Sequence, residues 1–153
     1  MITRVLPRSF SNSDPAHVLA EGGQLYQGSP PEDWDAAWRE LDVIVSLISY
    51  PNVKVPSFKL CIQWPIEDEA VPDDRATLWY LVRLIANLVY VGRKVLVHCG
   101  AGLNRSGFIC ALVCRELLRC SGSQAFDYVR ATLPGSLLNP YFNTFLNQLG
   151  GLK

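Results

Sequence analysis

The chain has 153 residues, 49% of them apolar, and its 14 basic and 14 acidic side chains leave a formal net charge of zero. That length and apolar content suit one domain, residues 1–153, with a sizeable core. The balanced charge, with no basic tail or charge block, argues against a dedicated nucleic-acid binder.

In chain order, a short strand is expected near His17–Ala20 and a clearer one at Gln24–Gln27. Asp33–Leu41 reads as a short helix, and Val43–Ser49 and Phe58–Gln63 as strands. Asp73 is the expected N-cap of a helix over Asp74–Val91, with Leu78, Leu81, Val82, Ile85, Leu88 and Val89 on one stripe. A buried strand follows at Lys94–His98, then a helix over Arg105–Arg119 that is apolar nearly all round at its start. Ser121 and Gln124 fit a capping box for a helix to about Leu133, and a last helix runs from about Pro140 to Leu149. Alternating strands and helices predict an α/β fold with a central, mostly parallel sheet of four to five strands flanked by helices. In such a fold an anion binds at the carboxyl end of a central strand. The start of the chain, Met1 to Pro7, lacks the apolar centre of a signal peptide. The longest apolar stretches, near Leu84–Val91 and Phe108–Cys114, are too short to span a membrane. A cytoplasmic, monomeric protein with no dedicated membrane or nucleic-acid binding is expected.

The segment with most chemistry is His98-Cys99-Gly100-Ala101-Gly102-Leu103-Asn104-Arg105-Ser106-Gly107, between the strand Val95–Val97 and the helix that starts at Arg105. A cysteine closes the strand, an arginine opens the helix, and two glycines lie between them. Such a loop can turn its backbone N–H groups around an anion at the positive end of a helix. Arg105 adds a planar fork of donors matched to phosphate oxygens. The same field favours a cysteine thiolate. One loop can therefore hold a dianion and arm a nucleophile beneath it. An arginine at the first turn of a helix is otherwise disfavoured by the helix dipole, which points to an anion there.

This loop resembles the protein tyrosine phosphatase signature His-Cys-x-x-Gly-x-x-Arg-Ser/Thr, with His98, Cys99, Gly102, Arg105 and Ser106 on its fixed positions. Further segments resemble the dual-specificity branch of that superfamily: Leu25–Ser29 its early strand, Pro65-Ile66-Glu67-Asp68 its general-acid loop, and Pro134–Pro140 its penultimate loop. The order of parts, acid before cysteine, is unlike that of low-molecular-weight tyrosine phosphatases. The chain has no room for the extra recognition loops of the large tyrosine-specific domains. The resemblance implies Cys99, Arg105, Asp68 and Ser106 as catalytic residues. Gly100, Ala101, Gly102, Leu103, Asn104 and Arg105 would bind the phosphate. Ser106 would donate its hydroxyl to the cysteine sulfur and help it leave.

His98 is adjacent to Cys99, so on an extended backbone its ring faces away from the sulfur. A structural role is expected for it, with its ring hydrogen-bonded to the loop backbone. Glu67 and Glu69 read as solvated charges, and Asp73 and Asp74 as helix cap and first-turn acid. Asn139 and Arg130 resemble residues that brace the family's active-site loop, and they read equally well as a helix cap and a solvated side chain. Five cysteines without secretory context suggest reduced thiols. Cys110 and Cys114, one helical turn apart, suit core packing better than a metal site. Cys61 is off the position from which some relatives pair a second cysteine with the nucleophile; Ile48 stands there instead.

The resemblance implies a phosphatase acting on phosphotyrosine and phosphoserine or phosphothreonine in proteins or peptides, through a cysteinyl-phosphate, with no metal or organic cofactor. Rival readings are an RNA 5′-triphosphatase, whose loop Leu103-Asn104-Arg105 resembles, a phosphoinositide phosphatase, and a non-catalytic phospho-residue binding module. The neutral charge and Asp68 count against the first. The lack of lysine within the loop counts against the second, and the intact Cys99 and Arg105 against the third.

Overall fold

The structure, a computed structural model, describes residues 1–6, 23–50 and 52–152. The strand expected near His17–Ala20 lies outside the described residues. The elements are β1 (Ile2–Arg4), β2 (Gln24–Gly28), α1 (Trp34–Glu40), β3 (Val43–Ser46), β4 (Leu60–Gln63), α2 (Arg75–Tyr90), β5 (Lys94–His98), α3 (Arg105–Leu118), α4 (Gly122–Thr132) and α5 (Pro140–Asn147). They form the expected α/β fold. The sheet has five strands in the order β1-β2-β5-β3-β4. β2, β5, β3 and β4 run parallel, and β1 pairs antiparallel with β2.

Strand alternation sorts the side chains between two faces. Val43, Val45, Val95 and Val97 point into the main core with residues of α2, α3, α4 and α5. Ile44 and Leu96, one residue out of phase, pack under α1 with Trp38 and Leu41. The same alternation carries past the end of β5. Cys99 continues the Val95–Val97 side and joins the main core. His98 continues the Leu96 side, where its ring lies edge-on to Trp34 and Tyr50 at 5.8 and 6.0 Å between centroids.

Three expectations need adjustment, and one strand was not expected at all. β1 carried no expectation; its three residues are held as an edge strand by pairing with β2. Asp74, not Asp73, caps α2: its carboxylate accepts from Thr77 N at 2.9 Å and Thr77 Oγ1 at 2.6 Å, and Arg75 is the first helical residue. The Thr77 hydroxyl and then the Thr77 N–H hold the Asp74 carboxyl below its usual range. β4 starts at Leu60 rather than Phe58 because Phe58 takes a left-handed conformation, φ 67°, in a turn closed by Lys59 N on Pro56 O. β3 ends at Ser46, where the chain leaves the ladder toward Tyr50. The capping box of Ser121 and Gln124 forms as expected, with both hydrogen bonds present.

Candidate active site

The site lies at the carboxyl end of β5, the middle strand, where Cys99 leads into α3. Cys99 is buried, with 2% of its surface exposed, and its Sγ is 3.4 Å from Ser106 Oγ. Ser106 is fully buried on the first turn of α3, so its hydroxyl has a fixed place beside the sulfur.

The loop between them is shaped from outside. Gln27 Nε2, on β2, donates to Gly102 O at 2.9 Å and to Ser136 Oγ at 2.9 Å. Leu137 N donates to Leu103 O at 3.3 Å. A trans peptide points its N–H opposite to its C=O. Carbonyls turned outward at Gly102 and Leu103 therefore turn the N–H groups of Leu103 and Asn104 toward the loop's interior. Gly102 sits at φ 76°, and a Cβ there would meet Gly28 C at 2.5 Å and Ser29 N at 2.6 Å, so only glycine lets the loop lie against β2. Leu137, buried at φ 57°, stores backbone strain directly behind the loop.

The start of α3 has no side-chain cap. Asn104 occupies the cap position, but its Oδ1 accepts instead from Asn139 N at 3.2 Å. The first N–H groups of α3 thus remain open toward the loop. The Arg105 side chain folds back beside the loop, where its Nη2 would lie 3.5 Å from a Cβ at Gly100. Its Nη1 donates to Ile66 O at 3.4 Å, and its buried Nε makes no hydrogen bond. Asp68 Oδ1 stands 3.8 Å from that Nε, on a half-exposed side chain. Cys99, Arg105, Ser106 and Asp68 are thus brought together by three parts of the fold: the end of β5, the first turn of α3 and the loop before α2.

Asn139 has partners on two sides. Its Oδ1 caps α5 by accepting from Tyr141 N at 2.8 Å, while its Nδ2 donates to Asp68 O. It joins the acid loop to the loop of Cys99. Arg130 does not reach the site; its guanidinium stacks on Phe126, one turn away, at 5.4 Å. The His98 ring bonds to Ser46 Oγ at 2.5 Å, a partner that was not expected. Both residues are buried, and burial pushes the imidazole down to about 4, against a smaller upward pull from the Cys99 backbone. His98 is therefore neutral at pH 7. Cys110 and Cys114 are buried in α3, and burial pushes both thiols up, so they remain protonated core side chains. Among the described residues no group of three or more His, Cys, Asp or Glu could hold a metal ion, and no helix is long and apolar enough to cross a membrane.

Sequence reading missed Gln27, Ser136 and Ser46 as parts of this arrangement. A glutamine in the second strand and a serine after Pro134-Gly135 carry no spacing signal. Their polarity at otherwise core-facing positions is the one clue, since a buried polar side chain needs a partner.

The sequence profile described as "Dual specificity phosphatase, catalytic domain" matches residues 26–150. The chain belongs to that family. Mouse (Mus musculus) dual specificity protein phosphatase 2 is 32% identical over 149 residues, covering 91% of this chain and 46% of the relative. Human dual specificity protein phosphatase 5 is 33% identical over 85 residues, covering 56% of this chain and 21% of the relative. The chain thus spans less than half the length of these curated relatives. The fold of this dual-specificity family member is similar to that of human DUSP28, with TM-score 0.67 at 21% identity over 81% of this chain and 89% of the other. It is also similar to that of Tk-PTP in its active form, with TM-score 0.66 at 23% identity over 82% and 90%.

Proposed function

We propose that the chain is a cysteine-dependent phosphatase acting on phosphorylated tyrosine, serine or threonine in proteins or peptides. One observation carries the reading: a buried guanidinium nitrogen without a hydrogen bond lies beside the Cys99 loop, 3.8 Å from a half-exposed carboxylate. A phosphate held there would meet the sulfur below, donors around it and an acid above.

The reaction follows from that order. Phosphate oxygens are held by the fork of Arg105 and by the backbone N–H groups of residues 100–105, which suit the charge arrangement of the transition state. Cys99 Sγ attacks phosphorus as a thiolate, and the P–O bond to the substrate breaks. Asp68, protonated, gives its proton to the departing oxygen. A cysteinyl-phosphate results. Asp68, now a carboxylate, takes a proton from a water that attacks phosphorus. The S–P bond breaks, and Ser106, 3.4 Å away, donates its hydroxyl to the returning thiolate. His98 and Asn139 hold the frame: His98 fixes the end of β5 through Ser46, and Asn139 fixes the height of the acid loop. The cycle uses side chains and water alone, so turnover should be unaffected by chelators.

Two of the rivals, the RNA triphosphatase and the phosphoinositide phosphatase, meet a common difficulty. The lip of the site carries Glu67, Asp68 and Glu69 and, apart from Arg105, no cation within the loop. Such a lip disfavours the many charges of triphosphorylated RNA or a phosphoinositide.

The test is a comparison of Cys99→Ser and Arg105→Lys with wild type on p-nitrophenyl phosphate and on phosphotyrosine and phosphothreonine peptides. Cys99→Ser should bring turnover to background while keeping phosphopeptide binding, and labelled substrate should leave phosphate on Cys99 of the wild type. Arg105→Lys should be severely impaired, because lysine cannot make two parallel hydrogen bonds to one phosphate. Substantial turnover by Cys99→Ser would overturn the covalent route.

A further inference from the structure

A groove leaves the lip of the site and runs along α5. Its near lobe, about 430 Å³, is lined by Asp68, Glu69, Asn104, Leu138, Pro140 and Tyr141. Its far lobe, about 600 Å³, shares Glu69, Pro140 and Tyr141 and continues over Val71 and Phe145 to Arg75. The two lobes therefore form one path that starts at the acid loop and the cradle.

The lobes differ in chemistry. Two carboxylates face the near lobe, and among the described residues no lysine or arginine lines it. Asp68 is drawn toward Arg105, but Glu69 is exposed and has no salt-bridge partner among the described residues. The far lobe is apolar along Ala70, Val71, Pro140 and the rings of Tyr141 and Phe145. Arg75 closes the far end, its guanidinium held in place by stacking on Phe145 at 4.9 Å and by donating to Pro72 O. Leu138 and Tyr141, 62% and 59% exposed, stand on the rim as large apolar side chains left in water. Exposed apolar surface rimmed by charge beside a reaction site is the usual form of a recognition surface.

Resting on the phosphatase reading above, we propose that this groove selects phosphopeptides in which a lysine or arginine neighbours the phosphorylated residue and a bulky apolar side chain follows it. With the phosphate in the cradle, the basic side chain lies against Glu69 in the near lobe. The apolar side chain enters the far lobe between Val71, Tyr141 and Phe145. In an extended peptide the next residue is only about 3.3 Å further along, so both lobes fall within a few positions of the phosphate. An acidic neighbour would meet Asp68 and Glu69 and be rejected by like charge. Glu69 and Tyr141 are therefore specificity residues, distinct from the groups that carry the reaction.

The experiment uses three peptides with one phosphoresidue and one length: one with flanking Arg then Leu, one with Glu then Leu, one with Arg then Ser. Steady-state kcat/KM is measured on each, with p-nitrophenyl phosphate as a substrate too small to reach the groove. Wild type should prefer the Arg-Leu peptide over the Glu-Leu peptide by roughly five- to tenfold, as expected for reversing one partly exposed charge pair, and less so in high salt. Replacing leucine by serine should cost about tenfold, as for one apolar side chain part-buried. Glu69→Lys should invert the Arg-over-Glu preference, and Tyr141→Ala should remove most of the leucine advantage, both with p-nitrophenyl phosphate turnover unchanged. An Arg-to-Glu ratio at or below one in wild type, or unchanged in Glu69→Lys, would overturn the charged subsite. An undiminished leucine advantage in Tyr141→Ala would overturn the apolar one. Faster turnover of a phosphoinositide or triphosphorylated RNA than of the Arg-Leu peptide would overturn both. If p-nitrophenyl phosphate is not hydrolysed, the phosphatase reading itself fails. The same ratios are then read as peptide dissociation constants of the wild type and of Cys99→Ser, which still decide the groove.

Discussion

The loop of Cys99, residues 99–105, and the acid loop, residues 65–74, meet at Arg105 yet are held in opposite ways. The first is clamped from behind by Gln27, Ser136 and Leu137, rests on the bare backbone of Gly28, and runs straight into the most buried helix of the fold. The second has no fully buried residue. It is attached by Ile66 N on Leu47 O, by Arg105 on Ile66 O and by Asn139 on Asp68 O. Anion binding requires donors that do not move, because each must already face the charge as it develops. Proton donation requires reach, and a solvent-facing loop can approach and withdraw. The contrast teaches that loss of the first loop should be felt in stability and binding together, and loss of the second in turnover alone.

The sharpest attempt to break that contrast is Asp68→Asn. General acid catalysis contributes about 10²–10⁴-fold. The variant should lose about that much kcat on phenyl phosphate and phosphopeptides, far less on p-nitrophenyl phosphate, and almost nothing in thermal stability. Glu67→Gln should show no such leaving-group dependence. Equal loss on all monoesters would mean that Asp68 holds the site's shape rather than a proton.

Gly102→Ala should give the opposite pattern. Its Cβ would collide with backbone atoms of Gly28 and Ser29, which cannot step aside as a side-chain end could. Overpacking and the left-handed conformation together should cost about 3 kcal/mol of stability in urea unfolding and remove phosphate binding. Gln27→Met should follow at smaller scale. It leaves Gly102 O and Ser136 Oγ without their donor, at a cost of about 2 kcal/mol, and weakens vanadate binding while retaining the shape of the core.

The frame behind the loop has a pH signature. The His98 imidazole is pushed down to about 4 in the folded chain, against about 6.5 when unfolded, so the unfolded chain takes up the proton first. Stability should be full above about pH 6.5 and fall as pH drops toward 4, with roughly 2 kcal/mol lost by pH 5. His98→Asn should flatten that part of the urea-midpoint profile. The smallest effect belongs to Arg130→Ala. It removes only a stacking contact on α4, and should cost about 0.5 kcal/mol with unchanged kcat/KM.

The parts of this fold that follow a period were legible in the chain. The stripe of α2, the capping box of α4 and the strand at Lys94–His98 follow local rules that tertiary contacts reinforce. The opposed directions of His98 and Cys99 follow from strand alternation alone. What was not legible depends on meetings between distant segments. Gln27 and Ser136 meet only because β2 and the loop before α5 close on the same carbonyl. Asp74 displaced Asp73 as the cap because Thr77 stands at the right offset from it. β1 has too few residues for any pattern and exists through its neighbour. For the same reason Asn139 could be read as a cap or as a brace; the fold shows the cap together with a hydrogen bond to Asp68 O that no spacing announces.

Gly28 is pressed from two sides. On one, Gly102 lies against its carbonyl; on the other, a Cβ at Gly28 would meet Met1 O at 2.4 Å and Ile2 Cα at 3.0 Å. Three stretches of main chain, remote from one another along the polypeptide, thus meet at Gly28, with only Ile2 Cγ1 reaching as near from a side chain. The consequence concerns how such a chain can drift over generations. Neither glycine can be exchanged alone, and no change at the other makes room, because the nearest atom at each, Met1 O at Gly28 and Gly28 C at Gly102, belongs to the backbone. In a library randomised at both positions and selected for phosphate release, the survivors should carry glycine at both, while Ala101 beside them, exposed and unconfined, accepts many residues.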